Sequence, residues 1–395
     1  MRIGMITACY KPVVNGVTRM VSLYKEELEA LGHEVTIFTL GRPDPNGEEP
    51  GVVRSPGLPL TMGYHLASGY TAQARRRLRQ MDILHCHHLV MGLELAHRYG
   101  RSPIVYTNHT RYDLYTGRFV PQVVANRLLR HMWPRLTALA DLVVTPSASM
   151  RQVMQRFGVR RPITVIENGV DLRPFHTPVA PLTKRKLGLP QTAVLAVYVG
   201  RLAHEKNLPF LLNQFAQARQ QCPDLHLLLI GQGPLRNQLQ QKAQQLGLYY
   251  GPACTETAVH FTGELANNQV ANYLAAADFF TTASVSEVHP LTVIEALAAG
   301  LPIVGLKAPG IVDIVTSGQT GYLTKSPQLA PAIVALAHNP AQRQQMAHAA
   351  RQASYRYDIR HTVQQSLDFY QRLHKAQTGL VAPRLKKERT ILRHS

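Results

Sequence analysis

Acidic residues are scarce in this 395-residue chain: 24 Asp and Glu stand against 43 Lys and Arg, a formal charge of +19. That imbalance disfavours a cationic partner and favours an anionic one, whether nucleotide phosphates, nucleic acid or an acidic membrane surface. Cysteine is rarer still. Cys9, Cys86, Cys222 and Cys254 are scattered without a Cys-x-x-Cys pair, which suggests neither a disulfide framework nor a zinc site and fits a reducing cytoplasm. No segment approaches the ~18 uninterrupted apolar residues that suggest a membrane-spanning helix. Met1–Thr7 reads as a strand entering the fold, without the long apolar core of a signal peptide. No Asp-x-Asp metal-binding triplet occurs, and Trp133 is the only tryptophan.

What the chain does have is length and a regular alternation. At 395 residues it exceeds one ordinary core, and with 45% hydrophobic and 17% charged residues it is globular. Two successive series of strand–helix units, without a solenoid period, predict an α/β protein of two Rossmann-like parallel-sheet domains facing a cleft. The first spans 1–176 and the second 177–357, joined by a proline- and lysine-rich linker over Pro174–Pro190. Residues 358–395 form a closing helix and a basic tail.

The chain is organised around Ser284–Pro302, S-V-S-E-V-H-P-L-T-V-I-E-A-L-A-A-G-L-P. β-rich runs flank it, Asp278–Ala283 before and Leu301–Leu306 after, so it reads as strand, loop, helix, strand. Pro290 suits the first helical turn, the helix runs to Gly300, and Leu291, Ile294, Leu297 and Ala298 share the face expected to pack on the sheet. Glu287 then sits in the loop, and Glu295 lies inside the helix, roughly 7–8 Å along the axis from Pro290. The free N–H groups after His289 suit an anion such as a diphosphate. Two carboxylates beside it would repel phosphate and instead accept from sugar or ribose hydroxyls. The stretch reads as a nucleotide-sugar clamp; the same spacing also suits a plain amphipathic crossover helix.

Other stretches offer chemistry with an ordinary alternative beside each. The loop C-Y-K-P-V-V-N-G-V-T, with Gly16 at its turn, leads into a helix over Val17–Leu31 and allows a phosphate to approach, although no full G-x-G-x-x-G is present. Met81–His88, M-D-I-L-H-C-H-H, invites a metal, but strand alternation sends neighbours to opposite faces and no carboxylate completes a set. Histidines at a strand's carboxyl end facing an acceptor cleft are the better reading. His109 follows the strand Pro103–Thr107, where such sheets place their chemistry, although a lone histidine there is more often a structural loop residue. Arg201 and Lys206, after the strand Ala193–Val199, suit a diphosphate leaving group or form an ordinary basic loop. Pro121–Asp141 gathers Trp133, Arg127, Arg130, His131 and Arg135 among aliphatics, as in an interfacial membrane helix or a core helix with a basic rim. From Arg372 onward the tail carries seven Lys/Arg against one acidic residue, suited to an anionic surface or simply solvated.

The run S-E-x-x-x-L-x-x-x-E-A-x-A-x-G-x-P, with Glu287 and Glu295, resembles the signature of family 4 retaining glycosyltransferases, and G-R-x-x-x-E-K-N around Arg201 and Lys206 matches the same family. The resemblance covers nearly the whole chain and implies the GT-B architecture, with the last helix crossing back to the first domain. It implies a nucleoside diphosphate hexose as donor, UDP-glucose by default, with no cofactor and no metal needed to hold the diphosphate. Glu295 would take the donor ribose, Glu287 the hexose hydroxyls, and Arg201, Lys206, Gly16 and the helix after Pro290 the diphosphate. His109 would lie beside the transferred hexose; His289, Pro290, Leu291 and Gly310 complete the donor contacts. Pro290 stands where many relatives have a small residue or glycine. The N-terminal pattern resembles bacterial diacylglycerol glucosyltransferases, which implies a lipid acceptor and an anionic membrane surface as partners at the cytoplasmic face. A soluble or polysaccharide acceptor is the first alternative. A non-catalytic nucleotide-sugar or nucleic-acid binder is the second, and sparse basic–aromatic interleaving argues against nucleic acid.

Overall fold

The computed structural model describes residues 1–43, 47, 49–60, 63–115, 121–251, 254 and 256–379. The basic run Pro383–Ser395 therefore lies outside the described residues. Strands β1 (Arg2–Ile6), β2 (Glu34–Leu40) and β3 (Val52–Ser55) open the chain. A short antiparallel pair follows, β4 (Leu58–Pro59) and β5 (His65–Leu66), then β6 (Ile83–Cys86), β7 (Ile104–Thr107), β8 (Leu142–Thr145) and β9 (Ile163–Val165). All but the short pair form one parallel sheet in the order β3-β2-β1-β6-β7-β8-β9. β1 beyond Arg2, β6 and β7 are buried at every position, as in a parallel sheet covered on both faces, although β6 carries His85 among its apolar residues.

A second parallel sheet is built from β10 (Val194–Val199), β11 (Leu225–Ile230), β12 (Val259–Gly263), β13 (Phe279–Thr282), β14 (Ile303–Leu306) and β15 (Gly321–Thr324). Its order is β12-β11-β10-β13-β14-β15. In both sheets the chain winds outward from its first strand and then restarts on that strand's other side. The switch points fall between β1 and β6 and between β10 and β13, and the loops leaving those strands diverge there to form a crevice.

The helix Gly16–Ala30 shows how the sequence sets one wall of it. Asn15 caps the helix by accepting from the amides of Val17 and Thr18, while Thr18 Oγ1 accepts from the Asn15 amide, a reciprocal capping box. Val17, Met20, Val21, Tyr24 and Leu28, spaced by three and four, bury one face. Arg19 lies off that face.

The final helix, Ile359–Thr378, packs on this first-domain helix although it follows the second domain in sequence. Tyr24 and Ser366 hydroxyls bond at 2.9 Å, and Tyr370 Oη meets His85 Nδ1 at 2.6 Å. Where the chain returns, it runs beside its own outgoing passage. Val170 bridges Asp358 in parallel, with Val170 N–H donating to Tyr357 C=O and Ile359 N–H to Val170 C=O. The two backbones touch at Gly169, where a Cβ would stand 2.5 Å from Ile359 Cα.

One open alternative is resolved and one expectation needs correction. Trp133 does not dip into an interface: it is fully buried, edge-on to Tyr112 and beside Phe157. Its helix, Gln122–Thr137, turns Ala125, Leu129, Trp133 and Thr137 inward, a strict spacing of four. The opposite face is the exposed one. The helix after Pro290 spans Leu291–Ala298 and is buried almost all round rather than on a single face, with Pro290 as its extended N-cap residue instead of its first turn.

Candidate active site

Glu287, His289 and Pro290 occupy the loop between β13 and the helix Leu291–Ala298, which carries Leu291 and Glu295. Arg201 and Lys206 occupy the loop leaving β10, so the two loops face one another across the switch point. Lys206 closes a short 3₁₀ turn and is followed by Asn207 in the left-handed region at φ 53°, which reverses the chain into the next helix. The result is a contact: Lys206 Nζ donates to Glu287 Oε1 at 2.6 Å, both side chains about four-fifths buried. Arg201 instead pairs with Glu205, four residues on in its own loop.

Glu295 is only 1% exposed and its partner comes from the other domain: Arg19, on the helix Gly16–Ala30. Burial raises the Glu295 carboxyl above the ordinary range, and the Arg19 charge opposes that rise. The helix Leu291–Ala298 has no side-chain cap, so its first turn keeps its positive end. At Gly16 the backbone has open space beside it, with nothing within 4 Å of an added Cβ.

Gly310 has a different setting from the one its family position implies. At φ 80° it presses against the Glu287–Val288 backbone, where a Cβ would sit 2.6 Å from Val288 C=O. Its N–H already donates, to Ser149 Oγ at 2.9 Å and Asp313 Oδ2 at 3.2 Å. Ser149 belongs to the first domain and also bonds Asp313, so this cluster fastens the domains together. Asn168 adds a further crossing contact, donating to the His289 carbonyl at 2.9 Å.

His85, His87 and His88 are buried, so the expectation that they face a cleft gives way to an interior role. His85 bridges Thr107 and Tyr370. His88 Nδ1 accepts the Ala8 amide and meets Thr7, and its Nε2 meets Tyr64. His87 Nδ1 lies 3.1 Å from His109 Nε2, the rings stacked at 15°. Burial pushes His85 and His88 down to about 3 and His109 to about 4, so all three are neutral near pH 7. His289 is likewise held down to about 3 by burial, edge-on to Tyr357. Among the described residues no group of three or more metal-capable side chains converges.

Sequence reasoning missed Arg19, Ser149, Asp313 and the pairing of His87 with His109.

Two parallel-sheet domains with their switch points turned to a common cleft define the GT-B class of fold. Residues 14–173 match the model of Glycosyltransferase Family 4 and residues 180–353 that of Glycosyl transferases group 1. The chain is similar to an alpha-monoglucosyldiacylglycerol synthase of Acholeplasma laidlawii, 30% identical over 366 residues, which are 86% of this chain and 89% of that protein. It is 29% identical over 338 residues to the enzyme of the same name from Streptococcus pneumoniae strain R6, across 82% of this chain and 75% of that one. The solved structure of Anabaena HepE in complex with UDP and glucose superposes with a TM-score of 0.73 at 20% identity, covering 94% of this chain and all of that one, a likeness of fold. The chain belongs to the family 4 glycosyltransferases, related to the bacterial alpha-monoglucosyldiacylglycerol synthases.

Proposed function

We propose that this glycosyltransferase takes UDP-glucose as donor and transfers glucose, with retention, to a lipid acceptor such as diacylglycerol at the cytoplasmic face of an anionic membrane. Supporting this reading is the convergence, at one switch point, of a cation–carboxylate pair and an uncapped helix N-terminus with a second carboxylate behind it. The positive helix end, Lys206 and Arg201 suit the diphosphate, whose negative charge grows as the glycosidic bond breaks. Glu295 suits ribose hydroxyls and Glu287 hexose hydroxyls, since ionised carboxylates only accept. Neutral His109 is suited to lie beside the transferred carbon.

Retention by double displacement needs a carboxylate on the sugar's far face. The residues gathered here supply none in that role, so a front-face course is favoured. The C1–O bond to the diphosphate breaks, the acceptor oxygen bonds C1 from the same side, and its proton passes to the leaving phosphate oxygen.

The lipid acceptor draws support from the two synthase relatives and from the outer face of the helix Gln122–Thr137. Val123 is 82% exposed and Leu128 50%, with Val124 and Met132 beside them and Arg127, Arg130, His131 and Arg135 interleaved, all exposed. Aliphatics that enter the headgroup boundary and cations that pair with anionic lipids are what an interfacial helix requires. Among the described residues no helix is long and apolar enough to cross a membrane.

Release of UDP from UDP-glucose, measured with and without anionic liposomes containing diacylglycerol, tests the reading. Liposome-stimulated turnover with a glycolipid product is expected. Turnover indifferent to liposomes would move the acceptor into solution, and silence with every sugar nucleotide would favour a binding protein.

A further inference from the structure

Arg19 and Glu295 come from different domains, and their ion pair is a contact for which neither the fold nor the donor scheme accounts. Glu295 is fully enclosed and needs a partner, because a buried carboxylate without one is strongly destabilising. The pair is in close contact, but the Arg19 side chain still keeps 22% of its surface exposed. Arg19 also lies three residues, nearly one helical turn, beyond Gly16, so its Cα rises only about 4.5 Å from the helix start.

That start offers an anion less than it promises. The Val17 and Thr18 amides are taken by the Asn15 side chain, and the Asn15 amide is taken by Thr18 Oγ1. A diphosphate approaching the open side of Gly16 therefore meets few free amides, and Arg19 is the nearest cation on that helix. Ribose hydroxyls can satisfy Glu295 by donating to it, but they bring no charge for a displaced guanidinium. A diphosphate brings that charge, in a geometry that suits the guanidinium fork.

We infer that Arg19 is a donor-diphosphate ligand that changes partners: ribose hydroxyls take Glu295, and the released guanidinium turns to the diphosphate beside Gly16. The inference rests on the donor site proposed above. It makes one residue report that both halves of the nucleotide are in place, since neither the nucleoside nor a bare diphosphate completes the exchange.

The test is calorimetric titration of the full chain and its Arg19→Ala, Arg19→Gln and Arg19→Lys variants. Each is titrated with the nucleoside diphosphate that wild type binds best among UDP, GDP and ADP, and with the matching nucleoside, using competition where binding is weak. Arg19→Ala and Arg19→Gln are expected to weaken the diphosphate at least tenfold. They should leave the nucleoside within threefold or tighten it, because its competitor for Glu295 is gone. Arg19→Lys should recover part of the loss. Unchanged or tighter diphosphate binding would overturn the exchange and leave Arg19 an obstructing contact. An equal loss for both ligands would also overturn it, by giving Arg19 a structural role. Failure of the wild type to bind any nucleoside diphosphate would instead remove the donor site itself.

Discussion

Lys206 stands between two roles that one variant cannot separate. Its ammonium holds Glu287 at 2.6 Å, and in the proposed donor site it also meets the leaving diphosphate. Lys206→Ala removes a donor aimed at developing charge, a loss of about 10²–10³ in kcat or roughly 2.7–4 kcal/mol. Glu287→Ala removes the proposed hexose contact and one carboxylate partner of the lysine. If Lys206 serves only to orient Glu287, the double variant Lys206→Ala/Glu287→Ala turns over no more slowly than Glu287→Ala. If it also stabilises the departing diphosphate, the double variant falls at least tenfold further, although groups acting as a unit need not add fully. The assay is UDP release under saturating donor, with thermal unfolding of each variant alongside. Because each side chain keeps about a fifth of its surface exposed, the pair's stability contribution should fall between the ~1 kcal/mol of surface pairs and the 3–5 kcal/mol lost on breaking a buried one. A Lys206→Ala enzyme within threefold of wild-type kcat would refute the assignment, as would a kcat loss explained wholly by unfolding.

Three further outcomes are expected. The buried histidines His85, His88 and His289, held to about 3, bind protons in the unfolded chain near pH 6.5 but not in the folded one, so their stabilisation is complete above pH 6.5 and is lost as pH falls toward 3. Each should cost about 2 kcal/mol between pH 7 and pH 5, and urea unfolding at the two values checks it; equal stability at both would contradict the neutral assignments. Val124→Glu with Leu128→Glu should abolish sedimentation with anionic liposomes while leaving the melting temperature within a few degrees, both side chains being exposed. Ser149→Ala strips a partner from Gly310 and Asp313 and should lower stability by about 1–2 kcal/mol while raising the donor KM; an unchanged KM would mean that this cluster has no part in closing the cleft.

The fold was legible where local pattern and tertiary placement agree. Ser284–Pro302 carries its own punctuation, an apolar strand, a proline and a glycine after the last helical turn, so its strand–loop–helix–strand order could be read directly. The position of Lys206 at a strand end was equally readable, but its ion pair with Glu287, 81 residues away, was not. Arg19–Glu295 and Ser149–Asp313 span longer intervals still, and no local periodicity encodes them. Trp133 stood between two readings for a different reason. Composition placed it in a basic, aliphatic helix, while only the spacing of Ala125, Leu129, Trp133 and Thr137 says which side faces the core. Counting by four would have turned the tryptophan inward and left Val123, Val124 and Leu128 outside. His85 of β6 shows the limit of reading by residue type: a partner on the last helix, Tyr370, makes it a tie between distant parts of the chain.

The side-by-side passage of Val170 and Asp358 constrains how the enzyme can breathe. A single connecting strand acts as a swivel, free to twist as well as bend. Two strands hydrogen-bonded to one another act as a door hinge, because twisting would shear the Val170–Tyr357 and Ile359–Val170 bonds and force Gly169 into Ile359. Any opening would thereby be confined mainly to one axis, with the last helix carried as part of the door frame. A closure about that axis would return Ser149 to Asp313 and Asn168 to His289 in the same register.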